Sequence, residues 1–568
     1  MDEKLTITSE QINDVPLLLG IMADMNIQDL IDEQVQPHGA WQGISVGTLV
    51  MIWLSYMLTE QDHRMVMVRE WVEARQQTFN ELLGVNLRDT DCTDDRLANV
   101  LSMLGDPDTQ AALDQSMLQR WVSVYELPTK TMRLDSTSAS VYHKMKDPMS
   151  LLQLGHSKDH RPDLAQFKIM LATLDPLGLP ITCQVVGGQR ADDGLYVPAY
   201  DAACTVLGHS NVLVVGDSKM GSMSTRGHLV AQGSTYLCSY NPVGSRAERA
   251  SWVEAALARS EHWQRVEQTD EVTGEVHLSA LLDEWSREQK WTDPHGQVWT
   301  WTERVLVVRS EAMQAGLTRK RQQALSSLCE KLTRFQRPPG RGRKRYRSEA
   351  DLRAQIDKLL ADSGFEHLLQ VELALETLPD GSERWIVASF ALDWRAWQAL
   401  VARLGWQVLV TNTTAQHYTA QALVQAYRQQ IIPEYAFSRL KSRYLNIRPL
   451  YIRDEQRIVG LTWLLMLALR VLTLTEYRLR TALAQHNEAL VGLNPASRTQ
   501  STRRPTTERV LQAFQNITLT VLHDVHPQRH VPPLSNTQRH VLELLQLPLD
   551  LYSRLATRLP KPLLNLRE

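Results

Sequence analysis

Three acidic residues are spaced so that a folded chain could bring them together: Asp135, Asp217 and Glu434. Asp135 ends an alternating, strand-like stretch, Asp217 directly follows an apolar run, and Glu434 lies in a predicted helix. Two or three carboxylates can hold a pair of Mg²⁺ ions, one activating the attacking oxygen and the other the leaving oxygen in phosphoryl transfer. Each aspartate alone is weak evidence, because strand-terminal aspartates commonly cap helices or form turns. Their combination predicts that all three are catalytic and metal-binding residues of a phosphoryl-transfer site.

The elements that must position these carboxylates are predicted from hydrophobic periodicity. An alternating strand at Thr131–Val141 precedes two apolar runs that flank the turn Asp175–Gly178, which indicates a hairpin. A helical stretch follows, and then Asn211–Val215, a run that is typical of a strand buried on both faces. Three antiparallel strands, a helix and a buried parallel strand are the opening of an RNase H-like α/β fold, which we predict for the catalytic core.

The chain of 568 residues has room for three or four domains. The helix that carries Glu434 is predicted to run from about Ala415 to Ser442, with a kink or restart at Pro433. We predict five segments along the chain: an all-α N-terminal domain (1–127), the first part of the RNase H-like core (128–244), a mostly β insertion (245–400), the second part of the core with the Glu434 helix (401–480), and a tail of short helices and loops (481–568).

The overall composition is that of an ordinary globular protein. Hydrophobic residues make up 43% and charged residues 22%, and the net charge of −3 means that any nucleic-acid surface must be local. Five cysteines lie far apart without zinc or disulfide spacing, and the acidic N-terminus does not resemble a secretory signal. The apolar segment 458–474 contains Arg470 and is predicted to be a buried helix rather than a membrane span. We therefore expect a cytoplasmic protein that does not contact a membrane.

Positive charge is concentrated in residues 318–347, which contain eleven Lys and Arg against one Glu. The part from 334 to 347 is rich in Pro and Gly, which predicts a flexible loop. Such a loop could follow the phosphates of a DNA groove, or it could be a solvated basic loop. On the first interpretation, the residues predicted to contact DNA are Arg334, Arg337, Arg341, Arg343, Lys344, Arg345 and Arg347.

The segment around Glu434 carries the most specific pattern. Tyr427, Glu434 and Lys441 lie seven residues apart, nearly two helical turns, so on one helix they would share a face. This pattern resembles the Tyr-x2-Arg-x3-Glu-x6-Lys signature of the DDE transposases of bacterial insertion sequences, specifically insertion sequence family four. Gln430 stands at the signature Arg position, with Arg428 two residues earlier, and Gln cannot neutralise a phosphate. The resemblance implies that the signature residues contact DNA, and we extend this expectation to the basic residues near them. The residues predicted to contact DNA in this segment are Tyr427, Arg428, Gln430, Arg439, Lys441 and Arg443.

The resemblance extends beyond this signature. His156–Asp163 resembles a Ser-Lys-Asp-His-Arg-Pro-Asp stretch of the same transposases, and Gln61–Arg64 and Asp94–Leu97 resemble the helical domain that precedes the core in one branch of them. The implied activity is metal-dependent cleavage of DNA at inverted-repeat ends, followed by strand transfer into target DNA. The resemblance further implies Mg²⁺ as cofactor, with two ions that Mn²⁺ can replace, and a homodimer on DNA. It also implies a bacterial, nucleoid-associated protein whose N-terminal helices serve end binding or dimerisation.

Two other interpretations stay open from the sequence. Gln430 favours a transposase-derived protein that binds DNA but no longer cuts it. A structural or regulatory protein with coincidental carboxylates would instead keep Asp135, Asp217 and Glu434 far apart.

Overall fold

The chain forms two units, and the second interrupts the first in sequence. Unit 1 contains Met1–Tyr236 and Arg428–Glu568, and unit 2 contains Leu237–Tyr427. The computed structural model describes residues 6–143, 150–159, 161–240, 244–269, 274–337, 345–494, 497, 499–523 and 528–557. The insertion of unit 2 separates Glu434 from Asp135 and Asp217 along the chain.

Unit 1 begins with a helical region, as the apolar periodicity predicts. Its elements are β1 (Thr6–Gln11), α1 (Val15–Asp24), α2 (Ile27–Gln34), α3 (Val46–Glu60), α4 (Val68–Glu73), α5 (Gln76–Leu83), α6 (Asp94–Leu104) and α7 (Pro107–Val124). Two helices begin with side-chain caps: Ser45 accepts a hydrogen bond from the backbone N–H of Thr48, and Asp106 accepts one from that of Thr109. Pro107 occupies the first position of α7, where its missing N–H costs nothing.

The sheet of unit 1 places the first two carboxylates. Its elements are β2 (Thr131–Val141), β3 (Ala165–Leu174), β4 (Leu179–Gly187), α8 (Tyr196–Leu207), β5 (Leu213–Gly216) and α9 (Met223–Ala231). β2, β3 and β4 are successive antiparallel strands, and β5 pairs parallel with β2, so the strand order is β4-β3-β2-β5. Gly178 closes the β3–β4 turn at φ +73°, a conformation that glycine adopts without strain. β2, β3, β4, α8 and β5 match the elements predicted from the sequence, whereas α9 was not predicted.

Unit 2 contains both helices and strands. Its elements are β6 (Thr235–Ser239), α10 (Arg246–Ala258), β7 (Gln264–Thr269), β8 (Val276–Thr292), β9 (Val298–Ser310), α11 (Glu311–Thr333), α12 (Glu349–Ser363), β10 (Leu369–Thr377), β11 (Glu383–Leu392), α13 (Trp394–Ala402), β12 (Trp406–Thr411) and α14 (Ala420–Arg428). The boundaries between the units fall inside β6 and before the last residue of α14.

The strands of unit 2 form two sets. One runs in the order β6-β12-β9-β8-β7, and the other is the hairpin β10-β11. The turns at Gly296 and Gly381 are those predicted from the sequence, and both glycines have positive φ. The expectation of a mostly β insertion is corrected, because α11 and α12 pack their leucines against β10, β11 and α13 in a core of their own. β12, predicted as part of the catalytic core, lies in unit 2 and pairs with β9.

The C-terminal part of unit 1 begins with the helix of the third carboxylate. Its elements are α15 (Ile431–Lys441), α16 (Glu455–His486), β13 (Leu490–Val491), β14 (Ser501–Thr502), α17 (Thr507–Gln512), β15 (Thr518–His523), β16 (Gln528–His530), α18 (Asn536–Leu544) and α19 (Arg554–Thr557). β15 pairs with both β1 and β16, a three-stranded sheet that joins the two ends of the chain and that the sequence did not predict.

The single long helix predicted over residues 415–442 is wrong. The structure divides it into α14 and α15, with Gln429 and Gln430 between them. Pro433 is the third residue of α15, where a helix has no intrahelical partner for a backbone N–H, so proline fits there without breaking a hydrogen bond. The helix does restart in this segment, but at Ile431, so the prediction that Pro433 is the point of the kink or restart is wrong.

Helix α16 is the central helix of unit 1. It is long and apolar enough to cross a membrane by length and composition, yet 94% of its most apolar window is buried inside the protein, which confirms the predicted core helix. Arg470 has no exposed surface, and its guanidinium forms an ion pair of 2.7 Å with Asp114 of α7. Arg470 also donates hydrogen bonds to the carbonyls of Pro180 and Ile181 in β4. One buried cation thus ties α16 to a helix and to the sheet.

Replacing Arg470 with Met should strongly destabilise unit 1. The substitution leaves the Asp114 carboxylate buried without its cation, and removing one partner of a buried ion pair costs about 3–5 kcal/mol. Urea unfolding followed by circular dichroism measures the loss. The control is Arg69→Met, which removes an exposed pair with Glu73 and should leave the midpoint nearly unchanged. Equal losses in the two variants would contradict the role of Arg470.

Candidate active site

The parallel pairing of β2 and β5 brings two of the predicted carboxylates side by side. In the register of the two strands, Leu134 lies opposite Gly216. Asp135 and Asp217 are the next residue of each strand, so their backbones are neighbours at the same point of the sheet. Asp135 lies within β2 rather than at its end, because β2 continues to Val141 in its pairing with β3.

Glu434 joins this site from α15. It lines a cleft of about 400 Å³ together with Asp135. The other lining residues are Ser136 and Thr137 of β2, Lys158 between β2 and β3, Phe437, Ser438 and Lys441 of α15, and Ser442 just after that helix. Burial raises the pKa of Asp135 to about 6, against the effects of the Lys158 ammonium and the Ser136 backbone N–H. The negative charges of Asp217 and Glu434 raise that pKa further, so the three carboxylates are close enough to interact electrostatically.

Asp217 is held in place by two hydrogen bonds. The hydroxyl of Tyr196 donates to its Oδ1 at 2.6 Å, and the backbone N–H of Lys219 donates to the same atom at 2.8 Å. Tyr196 is fully buried at the start of α8, and burial raises the pKa of its hydroxyl well above the usual value, so it remains a donor. Sequence reasoning missed Tyr196, because nothing in the helical pattern of α8 distinguishes a tyrosine that supports a carboxylate from one that fills the core.

Lys158 is a second residue of the site that the sequence did not predict. Its Nζ donates to the backbone carbonyl of Ser136 at 2.6 Å and lies 3.7 Å from Oδ1 of Asp135. It also lies 3.8 Å from a carboxylate oxygen of Asp192, which forms a shorter ion pair with Lys168. The signal that could have found Lys158 was its place in the His156–Asp163 motif.

The next residue of that motif, Asp159, fixes two cations beside the cleft. Lys441 donates to its Oδ1 at 2.7 Å, and Arg448 donates to its Oδ2 at 2.8 Å. Burial lowers the pKa of Lys441, and the Asp159 carboxylate opposes that shift. The structure therefore brings Lys441 to the cleft that Glu434 lines and provides an internal anion to hold it there.

The other signature residues do not lie on the helix of Glu434, although the prediction placed them there. Tyr427 and Arg428 end α14, whereas Gln430 precedes α15 without a side-chain capping bond. The single helical face proposed for the signature therefore holds for Glu434 and Lys441, two turns apart on α15, but not for Tyr427. The helix ends between them because Gln429 and Gln430 adopt a turn.

Arg439 corrects a prediction of DNA contact. Only 4% of its surface is exposed, and its guanidinium pairs with Glu476 of α16 and Glu508 of α17. A cation used in this way is not available to a phosphate, so we remove Arg439 from the candidate DNA contacts. Arg443, by contrast, is exposed just after α15.

The basic segment, residues 318–347, is helical up to the stretch 334–347 for which a loop was predicted. Residues 318–333 belong to α11, whose Leu328 and Leu332 are buried in the unit 2 core. Arg334, Arg337 and Arg347 are exposed, and Arg345 is half-buried and donates to the backbone carbonyl of Glu383. The predicted contacts that lie outside the described residues are Arg341, Arg343 and Lys344.

The carboxylates fit a hard divalent cation in chemistry. Asp135, Asp217 and Glu434 offer oxygen ligands only, which is what Mg²⁺ and Mn²⁺ prefer. Burial raises the pKa of Asp135 most and the two neighbouring carboxylates add to it, so an added cation would favour the charged form of Asp135. Within the described part of the chain, no three Asp, Glu, His or Cys side chains are close enough to hold one ion. Glu434 is exposed on the surface of α15, whereas Asp135 and Asp217 are half-buried.

Comparison with known proteins identifies the family. Residues 129–471, more than half of the chain, match the family described as the transposase DDE domain, and the chain therefore belongs to that family. Residues 7–116 match a domain of unknown function, DUF4277. No curated protein matches the chain. Among solved structures, the chain is similar to one in the cryo-EM structure of a piggyBac transposase synaptic complex with hairpin DNA, at 8% identity and a TM-score of 0.32, covering 89% of this chain and 79% of that chain.

Family membership defines the class of protein: a transposase, and hence an enzyme that processes DNA. The family typically depends on divalent metal ions, and its macromolecular partner is DNA. The prediction of a DDE transposase is confirmed at this level.

Changing Asp159 to Asn should loosen the cation cluster beside the cleft. The variant keeps the size of the side chain but loses its negative charge and one acceptor oxygen. One of the hydrogen bonds from Lys441 and Arg448 is therefore lost and the other is weakened, which we expect to cost about 2–3 kcal/mol of stability. Chemical unfolding measures this loss. Asp163→Asn is the matched control in the same motif, because Asp163 is exposed and its ion pair is with Arg161 at the surface. A loss for Asp159→Asn no greater than for the control would show that the cluster is not held by Asp159.

Proposed function

We propose that the protein is an active DDE transposase that cleaves DNA at transposon ends and transfers the freed strand to target DNA. The observation that carries this proposal is the placement of Asp135, Asp217 and Glu434. Asp135 lies within β2, Asp217 directly follows the adjacent parallel strand β5, and Glu434 lines the same cleft as Asp135. Two-metal phosphoryl transfer requires carboxylates that can converge on a pair of ions, and two carboxylates on adjacent strands with a third on a neighbouring helix supply such a set once Glu434 moves toward the other two.

Each carboxylate has a distinct structural role in this proposal. Asp135 and Asp217 are fixed by the sheet, and Glu434 approaches from α15. All three would hold a pair of Mg²⁺ ions, or Mn²⁺ in their place, which supply charge stabilisation for the attacking and leaving oxygens. Tyr196 orients Asp217 by its hydrogen bond to Oδ1. The strand order β4-β3-β2-β5 supports the RNase H-like core that we propose for unit 1.

The DNA would lie along the cleft and the exposed cations around it. Lys441 is held at the cleft by Asp159, and exposed Arg443 follows it. We propose that Tyr427, Arg428, Gln430 and the arginines of the basic segment add further contacts. Phosphate contacts of this kind position the duplex without reading its sequence. We also propose that the protein belongs to insertion sequence family four and is bacterial and cytoplasmic, because its signature resembles that group. We propose a homodimer on DNA, because cleavage of two ends calls for two active sites.

A second candidate function is DNA binding without cleavage. Gln430 favours it, because a neutral side chain stands where the related signature has Arg, and Gln does not neutralise phosphate. The two functions separate when the protein is incubated with Mg²⁺ or Mn²⁺ and a labelled DNA fragment carrying the inverted repeats that flank its reading frame. Cleavage products support the transposase, and stable complexes without nicking support the binding protein.

Substitution of the three carboxylates should abolish cleavage and leave binding intact. Asp135→Ala, Asp217→Ala and Glu434→Gln each remove a ligand oxygen or its charge, and we expect cleavage to fall by about 10³-fold or more, the equivalent of about 4 kcal/mol of barrier. Gel assays of cleavage and of binding on the same fragment measure the two effects. Asp163→Asn serves as the control that retains cleavage. Activity that survives any one of the three changes would remove that residue from the site.

Neutralising the exposed arginines of the basic segment should flatten the salt dependence of DNA binding. In Arg334→Ala/Arg337→Ala/Arg347→Ala, the slope of log affinity against log salt should decrease by about one for each lost phosphate contact. Fluorescence anisotropy with a labelled duplex at several NaCl concentrations measures the slope. A double variant at Arg265 and Arg395, exposed arginines of unit 2 outside the segment, is the control. An unchanged slope would assign the segment to solvent.

A further inference from the structure

Lys158 is the cation nearest to the catalytic carboxylates. Among the described residues, it alone lies within ion-pair distance of any of the three, with Nζ 3.7 Å from Asp135 Oδ1. Lys441 lines the same cleft but is paired with Asp159. The ammonium of Lys158 therefore provides local positive charge at the place where, in the proposed function, a divalent cation would bind.

The position of Lys158 is set by its backbone and by β2. Its backbone N–H donates to Oγ of Ser138 at 2.9 Å, and its Nζ donates to both oxygens of Ser136 at 2.6 and 2.9 Å. The ammonium thus donates hydrogen bonds to two neutral oxygens of the residue after Asp135. Its contact with the Asp135 carboxylate, at 3.7 Å, is an ion pair without a hydrogen bond. Such a contact holds the two charges near each other without locking them together.

The ammonium of Lys158 can leave Asp135 by exchanging its two hydrogen bonds to Ser136 for new partners. About 31% of the Lys158 side chain is exposed, whereas Asp192, its other anionic neighbour, is largely buried and already paired with Lys168 at 2.6 Å. Lysine has a flexible four-carbon stem, so its charge can move several ångströms without backbone change. The cleft in which it lies is open to solvent and is the proposed path of the DNA backbone.

We propose that Lys158 is a positioning residue that pairs with Asp135 in the free protein and moves to a DNA phosphate when a divalent cation is bound. The inference rests on the proposed function and adds to it a coupling between metal uptake and DNA binding. A divalent cation at Asp135 and the ammonium at Nζ repel each other at this separation. A phosphate in the cleft offers the displaced ammonium a new anionic partner.

The coupling predicts that removing the charge of Lys158 has opposite effects on metal binding and on DNA binding. In Lys158→Met, which keeps the length of the side chain and removes its charge, Mn²⁺ should bind the DNA-free protein about fivefold more tightly, because no cation competes for Asp135. The same variant should bind a duplex in the presence of Mn²⁺ with a salt slope reduced by about one, because one phosphate contact is lost. A merely structural role would weaken both or change neither.

The experiment measures binding and requires no cleavage. Isothermal titration with MnCl₂ gives the metal affinity, and anisotropy of a labelled 30-base-pair duplex of arbitrary sequence, at several NaCl concentrations, gives the slope. Lys158→Arg keeps the charge and should restore the slope. Lys130→Met, at an exposed lysine just before β2, is the matched control and should change neither quantity. Thermal melting of each variant checks that the fold is retained.

The possible results separate the inference from the proposed function. Tighter Mn²⁺ binding together with the smaller slope supports the coupling. Unchanged or weaker Mn²⁺ binding in Lys158→Met, or an unchanged slope, overturns it while the function stands. A native protein that binds neither Mn²⁺ nor the duplex overturns the proposed function and the inference with it.

Discussion

The buried charges of α16 are the constraint on which unit 1 depends. A helix of 32 residues whose apolar part is almost entirely enclosed can carry charged residues only where a partner is present. Arg470 finds Asp114 of α7 and two carbonyls of β4, and Glu476 finds Arg439 of α15. Because an unpaired buried charge is costly, these pairs allow few alternative packings of the helices and sheet around α16.

The same constraint reaches the site through α15. Arg439 is on the helix that carries Glu434, and its pairing with Glu476 and Glu508 holds the helix against α16 and α17. Glu434 and Lys441 can then face the cleft, because the buried side of α15 is occupied by Arg439 and its apolar neighbours. A basic residue that the sequence suggested for DNA contact thus contributes to the site indirectly, by orienting the helix that brings the third carboxylate.

Each lysine that lines the cleft is paired with a carboxylate of the protein itself. The carboxylates of the site are close enough to raise the pKa of Asp135, and the cations beside them are each given an internal anion: Lys158 has Asp135 and Asp192, and Lys441 has Asp159. The cations are therefore held beside the carboxylates by anions of the protein itself. Both lysines depend on the His156–Asp163 motif, either as a member or through Asp159, which gives that motif a physical role in the site.

Local patterns predicted much of unit 1. The alternating strand Thr131–Val141, the turn at Gly178, the buried β5 and the core helix around Arg470 all follow from periodicity and turn chemistry, which are properties of neighbouring residues. Pairings between distant segments were not predictable in this way. β1 and β15 are more than 500 residues apart, and neither has a pattern that identifies its partner. The break between α14 and α15 was also missed, because the apolar spacing continues across it and only the turn at Gln429 and Gln430 divides the helix.

The sequence by itself determined which residues could do the chemistry: Asp135, Asp217 and Glu434 were recognisable from their types, their strand and helix contexts, and the signature spacing. Only the tertiary structure decided how those residues are used. Whether an arginine faces solvent or a buried glutamate, as for Arg439, depends on which elements pack against its helix. Whether a tyrosine or lysine supports a carboxylate, as for Tyr196 and Lys158, depends on contacts across the sheet. These are long-range contacts, and the type of a side chain does not specify its distant partner.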